Sequence, residues 1–542
     1  MISIRKFPAS VALLLLILIL FATVYPFQTN ITATAQGITS TTTTPIKHLV
    51  VIFQENVSFD HYFATYPIAA NNNSGSGEPL FAPKPSTPSV NGLSADLLNN
   101  NPNLVNPFRI PRSSASTCDN DHSYTRLQEA YNGGLMNKFV QTNLVSKNCN
   151  PSITMGYFDG NTVTALWNYA QNFAMSDNFF GSTFGSSTPG AINLVSGQTH
   201  GATPPYLNIT HGSTTSWFVY NGTLISDANP AYDKCFNPNT KSFPKASFQG
   251  TNIGDLLNRK NITWGWFAGG FKPTSRTADG DPICGSAHKN HNGSLVVDYL
   301  PHHEPFQYYK TTANPNHLPP KSVVSIGHTD QANHQYDLSD FWDAAESGNS
   351  NDNLPSVSFL KAPAFQDGHA GYSDPLGEQN FIVETINRIQ KLRDWNSTAI
   401  IIAYDDSDGW YDHVMPPIVS QSNDPKNDAL LGKTGLCGHA PAGAYQDRCG
   451  YGPRLPMLVI SPYAKVNYVD HSIIDQSSII RFIEDNWGLG RIGNQSFEAK
   501  AGSIIKMFDV LTATSTIDNR HDSNAAKLFL YPENGTIVNM IS

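Results

Sequence analysis

Basic residues are in deficit in this 542-residue chain: 34 Lys and Arg stand against 43 Asp and Glu, a net charge of −9. That balance argues against a nucleic-acid partner, because phosphate backbones are bound by basic surfaces. It leaves a small phosphate ester open as a substrate, since a local metal ion reverses the sign of a site. No C-x-x-C occurs, which excludes a zinc ribbon or a thioredoxin-type centre. No G-x-S-x-G occurs either, so the nucleophile elbow of ordinary α/β-hydrolases is missing, and there is no P-loop lysine motif. Internal repeats are absent. After the N-terminal apolar run no second long one follows, so the mature chain is expected to be soluble, with at most peripheral membrane contact.

What is present begins with an address. Arg5 and Lys6 precede an apolar run from Val11 to Val24, and Ala33-Thr34-Ala35 offers a cleavage site before Gln36. We read residues 1–35 as an export signal, with an uncleaved anchor as the alternative, and 36–45 as a Ser/Thr-rich linker. Six cysteines agree with export; the simplest pairing joins neighbours, Cys118 with Cys149, Cys235 with Cys284 and Cys437 with Cys449. N-x-Ser/Thr sequons at Asn208, Asn221, Asn261, Asn292, Asn396, Asn494 and Asn534 mark sites for glycosylation in a secreted glycoprotein. Hydrophobic residues at 40% and aromatics at 11% supply a sizeable core.

Ile46–Phe53, Thr398–Tyr404, Leu455–Ser461 and Ser356–Leu360 are apolar or β-branched runs without alternation, the pattern of strands buried on both faces of a mainly parallel sheet. Glu378–Leu392 and Ile474–Trp487 carry apolar residues at helical spacing. Strands alternating with helices indicate an α/β/α sandwich. Residues from about 67 to 111 read as a long surface excursion, and about 203–320 as an insertion covering the site. The catalytic domain is expected over 46–512, followed by an extension over 513–542.

Ligands of open α/β sheets bind beyond the carboxyl ends of strands. Two of the predicted strands end in acids, Glu55 and the pair Asp405-Asp406. Adjacent buried carboxylates repel unless a cation shares them, and Asn56 adds an amide oxygen suited to a divalent metal. The same D-D-S-D-G stretch is also ordinary turn composition. Histidines gather at His122, behind Asp119 and Asp121, at His302-His303, at His369 and at His413. The segment 178–201 (NFFGSTFGSSTPGAINLVSGQTHG) places hydroxyls at a loop-to-helix junction, where backbone N–H groups cradle an anion; composition alone also permits a plain Gly/Ser loop.

Several blocks in order, Glu55–Phe63, Ser182–Gly201, Tyr404–Val414 and Gly452–Pro456 with Ile460–Tyr463, resemble the phosphoesterase family of secreted bacterial acid phosphatases and phosphocholine-type phospholipases C, in the alkaline-phosphatase-like superfamily. The resemblance runs from about Ile46 to Asp509. It implies a three-layer α/β/α fold with a cap-like insertion, and one divalent metal ion held by Glu55, Asn56, Asp405, Asp406 and Ser187. It further implies a nucleophile at Ser187 and active-site histidines at His122, His302, His303 and His369. Ser186, Gly190 and Val57 depart from the residues common at those family positions. The expected function is hydrolysis of a phosphate ester through a phosphoseryl intermediate; a phospholipase C-type phosphodiesterase and an inactive glycosylated surface protein are the alternatives. A sulfatase-like hydrolase is a weaker one, since no maturation motif or fuller ligand set is found.

Overall fold

The computed structural model of the chain describes residues 42–538 except 72–76, 212–213, 236–242, 348–353, 432–436 and 511–526. The predicted export signal, residues 36–41 of the linker and most of 513–542 lie outside the described residues. Among the described residues no helix is long and apolar enough to cross a membrane.

Nine strands form one sheet: β1 (His48–Gln54), β2 (Ala174–Phe180), β3 (Trp264–Ala268), β4 (Gln335–Asp337), β5 (Val357–Lys361), β6 (Thr398–Tyr404), β7 (Arg454–Ile460), β8 (Tyr468–Asp470) and β9 (Ile474–Asp475). Their order is β4-β3-β5-β1-β6-β7-β2-β8, with β9 also on β2. All pairings are parallel except those of β7, which runs against β6 and β2. β1 and β6 are buried along their whole length, as strands covered on both faces require. The helices α1 (Phe59–Phe63), α2 (Thr164–Asn172), α3 (Ser187–Ser196), α4 (Ile253–Arg259), α5 (Pro375–Ile389) and α6 (Ser477–Trp487) flank the sheet. α2 packs with α5, and α3 with α4 and α6, completing the three-layer sandwich that the strand and helix patterns predict.

The register decides where the chemistry falls. Gln54 lies opposite Tyr404 and Ile52 opposite Ile402, so β1 and β6 run out together and their next residues, Glu55 and Asp405, emerge side by side at the carboxyl edge. β5 is the other neighbour of β1, with Ile52 opposite Leu360.

Several boundaries differ from the sequence reading. β2 was not foreseen. β3 lies inside the segment 203–320 and is the second strand from one edge of the sheet, between β4 and β5, so that segment is not wholly an insertion. Its short, aromatic WGWFA run lacks the β-branched signature used to find the others. α5 starts at Pro375, because Asp374 accepts from the backbone N–H groups of Leu376 (2.9 Å) and Gly377 (3.0 Å) and proline suits the first helical position. Ile474 and Asp475 belong to β9, and α6 starts only at Ser477. The 67–111 excursion buries Leu93, Asn101, Asn103 and Ile110 in its described part, so it is not all surface. The three disulfides join the neighbouring cysteines as expected. Residues 527–530 are tied to α5 and the residue after it, with Leu528 and Gln390 exchanging hydrogen bonds at 2.6 and 2.8 Å.

Candidate active site

At the carboxyl edge Asn56 takes a left-handed conformation (φ 59°), which asparagine tolerates better than most residues. Its backbone N–H donates to Asp405 Oδ1 at 2.9 Å. Its side-chain amide lies 3.3 Å from Ser187 Oγ in either orientation. In one orientation its Oδ1 accepts from Ser187 Oγ and its Nδ2 donates to Asp408 Oδ1 at 3.4 Å; in the other it donates to Glu55 Oε2 (2.9 Å) and accepts from His369 Nε2 (3.0 Å). Beyond β6 the chain turns tightly through Asp408 (φ 50°) and Gly409 (φ 68°), and Asp408 N–H donates to Asp406 Oδ1 at 2.6 Å.

Ser187 is the first residue of α3, and its Oγ donates to Asp406 Oδ2 at 3.2 Å. Two features hold that hydroxyl in place. Asp227 Oδ1 accepts from Ser186 Oγ at 3.1 Å and from Thr188 N–H at 2.9 Å, clasping the residues on either side of the serine. Gly190 lets α3 lie against the end of β6: a Cβ there would stand 2.1 Å from the Asp405 carbonyl oxygen. Gly190→Ala is therefore expected to push α3 off β6. The expected cost is about 1–3 kcal/mol of stability, with a fall in activity out of proportion to it. Denaturant unfolding set beside kinetics checks this; a fully active, equally stable variant would show that the close approach is dispensable.

The histidines surround this centre. His122 Nδ1 lies 2.8 Å from Asn120 O and 3.2 Å from Asp408 Oδ1. His369 Nδ1 lies 2.5 Å from Ala370 O, which leaves its Nε2 facing Asn56. His303 Nδ1 is 3.3 Å from Glu55 Oε1, and the His302 carbonyl accepts from Thr188 Oγ1 at 3.4 Å. Glu55, Asn56, His122, Ser187, His302, His303, His369, Asp405 and Asp406 are thus gathered at one edge of the sheet. His413 is not among them. It pairs with Asp60 (2.7 Å) in a network with Asp412 and the buried Arg454, which ties the first and third sequence blocks to Gly452–Pro456.

Four further residues enter the site. Lys361 ends β5 and Asp408 lies in the tight turn after β6, where the rule that picked out Glu55 also applies, and Lys361 Nζ contacts Glu55 Oε1; Asp367 follows a short 3-10 turn, Ala364–Gln366, beyond β5. Asp227 sits in a loop with no sequence signal.

Charge in the site is unbalanced. Burial pushes the Asp406 and Asp408 carboxyls well above the usual range; Asp405 adds to this at Asp406, and His122 opposes it at both. Burial raises Asp367 to about 7 against the pull of Lys361. Burial works against the His122 cation, yet Asp406, Asp408 and Asp119 hold its pKa well above that of an ordinary histidine. Burial, then His302 and His369, pull His303 well below it. Asp405 Oδ2 and Asp408 Oδ2 are buried without a hydrogen-bond partner among the described residues. Unpartnered buried carboxylate oxygens are costly. Set beside an amide, a serine and imidazoles, they form a donor set that fits a divalent cation.

The sheet and this edge define an α/β/α protein with a serine set among metal-type ligands. A family model describing the Phosphoesterase family matches residues 46–490, and the chain belongs to that family. Among its relatives, the non-hemolytic phospholipase C of Pseudomonas aeruginosa is 24% identical over 458 residues, 82% of this chain and 54% of that one. Phospholipase C B of Mycobacterium tuberculosis is 24% identical over 463 residues, 82% and 74% of the two chains. The chain spans about half the length of the Pseudomonas relative. Of solved structures, a protein of the alkaline phosphatase superfamily from Vibrio parahaemolyticus is similar at 12% identity and a TM-score of 0.27, over 60% of this chain and 62% of that one.

Proposed function

We propose that the chain is an exported, metal-dependent hydrolase of phosphoric esters that uses Ser187 as nucleophile. The observation that carries this reading is the Ser187 hydroxyl, in contact with Asp406 and Asn56 at the start of α3 and beside carboxylate oxygens that lack partners. Glu55, Asn56, Ser187, Asp405 and Asp406 would hold one divalent ion, with Asp408 close by. Such an ion supplies Lewis acidity and neutralises charge on a phosphoryl group.

The residues of the chain do the rest. Ser187 Oγ forms a bond to phosphorus as the ester bond to the alcohol breaks, and its proton leaves toward Asp406, which accepts its hydrogen bond. The His122 cation faces the negative charge on the phosphoryl oxygens. The same cation, the one of the site's histidines whose pKa its neighbours hold above the ordinary value, donates a proton to the departing alcohol. Water then cleaves the phosphoserine, and Ser187 recovers its proton.

We take a phosphate monoester, in the manner of an acid phosphatase, as the first substrate class. The second reading, cleavage of a phosphodiester headgroup, is favoured by the names of the relatives, which are phospholipases C. Assays of the purified protein on a phosphate monoester, a phosphocholine diester and a sulfate ester, before and after chelation, separate these readings. Turnover of a phosphate ester that chelation abolishes and a divalent ion restores is expected. Turnover undiminished by chelation, or of the sulfate ester alone, would overturn the assignment.

A further inference from the structure

Glu55, His303 and Asp367 form one of the groups of this site with the character of a cation site, Asp119, His122, His369 and Asp408 forming another. In the first, one donor atom from each residue lies within 4.8 Å of the others, and all three residues are buried. Two carboxylates and an imidazole so placed suit a divalent ion. A cation is already there. Lys361 ends β5, next to β1 in the sheet, and its Nζ contacts Glu55 Oε1. Its side chain is only 4% exposed, and Nζ stands 5.8 Å from the Phe53 ring centroid.

A lysine closing the otherwise uncharged VSFLK strand is expensive to bury unless acids surround it. Burial pulls its pKa below that of an ordinary lysine, and Asp405, Asp367, Asp406 and Glu378 oppose that pull. Beside the side chain lies a cavity of about 10 Å³, lined also by His303 and Glu304. His303 Nε2 and both Glu304 carboxylate oxygens are buried without partners among the described residues.

We propose that Lys361 is the fixed second cation of the site: its ammonium takes the place beside Glu55, His303 and Asp367 that a second divalent ion would otherwise fill, so the protein binds one metal ion per chain. Lys361 is then a positioning residue. It holds Glu55 and balances the acids at the edge of β1 and β6 without an exchangeable ligand. The inference rests on the metal-dependent reading above, and goes further in naming the residue that keeps a second ion out.

Metal stoichiometry tests it independently of activity. Wild type, Lys361→Gln and Lys361→Arg are dialysed to equilibrium against zinc and analysed for metal and protein. Wild type and Lys361→Arg are expected to hold one ion per chain. Lys361→Gln removes the charge and extends the small cavity, and is expected to hold two, the second released first as chelator is raised. One ion in Lys361→Gln, or two in wild type, overturns the proposal while leaving the metal-dependent reading standing. No ion in wild type overturns that reading and the proposal with it. Should Lys361→Gln fold only with metal, refolding against a zinc titration gives the same answer. Folded yield that saturates at two ions per chain supports the proposal; saturation at one, or no recovery at any zinc concentration, overturns it.

Discussion

Ser187→Ala is expected to lower kcat by about 10³-fold or more while leaving the fold as in wild type and costing far less metal affinity than the loss of a carboxylate ligand. Three hydroxyls compete for the role of nucleophile, and the structure gives each a different job. Ser187 Oγ alone meets Asp406 and Asn56. Ser186 Oγ is turned away to Asp227, and Thr188 Oγ1 to the His302 carbonyl. Ser186→Ala therefore loosens one side of the Asp227 clasp, and Thr188→Ala gives up a long hydrogen bond, so both should cost far less than Ser187→Ala. Steady-state kinetics on the three variants, with unfolding curves and metal analysis alongside, gives the ranking. A dead Thr188→Ala beside an active Ser187→Ala would move the nucleophile by one residue. Normal turnover in all three would make water the attacking group.

The second large effect is expected from Asp405→Asn. Asp405 Oδ1 accepts from the backbone N–H groups of Asn56 and Asp406 at 2.9 and 2.7 Å, and asparagine can keep an oxygen there. Oδ2 is the buried oxygen without a partner, and in asparagine an uncharged NH₂ replaces it. Shape and backbone contacts are retained while one anionic donor is lost. Metal affinity should fall by about 100-fold, with little change in the metal-free unfolding midpoint. Metal analysis of wild type and variant after equal dialysis reads this directly. Equal metal content in both would return the Asp405-Asp406 stretch to an ordinary turn.

The legible parts of this protein are those where one physical signal dominates. β1 and β6 are uninterrupted apolar runs, and acids at the end of such runs stand out; Glu55, Asp405 and Asp406 could be picked from composition and position. β2 was hidden because Ser176 and Asp177 interrupt it. Both are buried, and Asp177 finds partners in the Asn91 backbone N–H and His471, which lie far from it in sequence. Lys361 was passed over because a lysine normally marks the solvated end of a strand, and only the β1–β5 register shows it against Glu55. Asp227 could not have been found: its role exists only because a loop distant in sequence folds over the start of α3. Gly190, a departure from the common family residue, gains a reason in the close approach of α3 to Asp405.

The most direct test of the account is to catch the serine in the act. Protein turning over a phosphate ester is quenched in acid within a few turnovers, digested, and its peptides mapped for added mass. The account predicts phosphate, or a phosphoryl headgroup from a diester, on Ser187, and its absence after chelation or in Ser187→Ala. A label on another residue, or rapid turnover under conditions where product release is fast but no labelled peptide forms in wild type or in a variant slowed at the hydrolysis step, would contradict it.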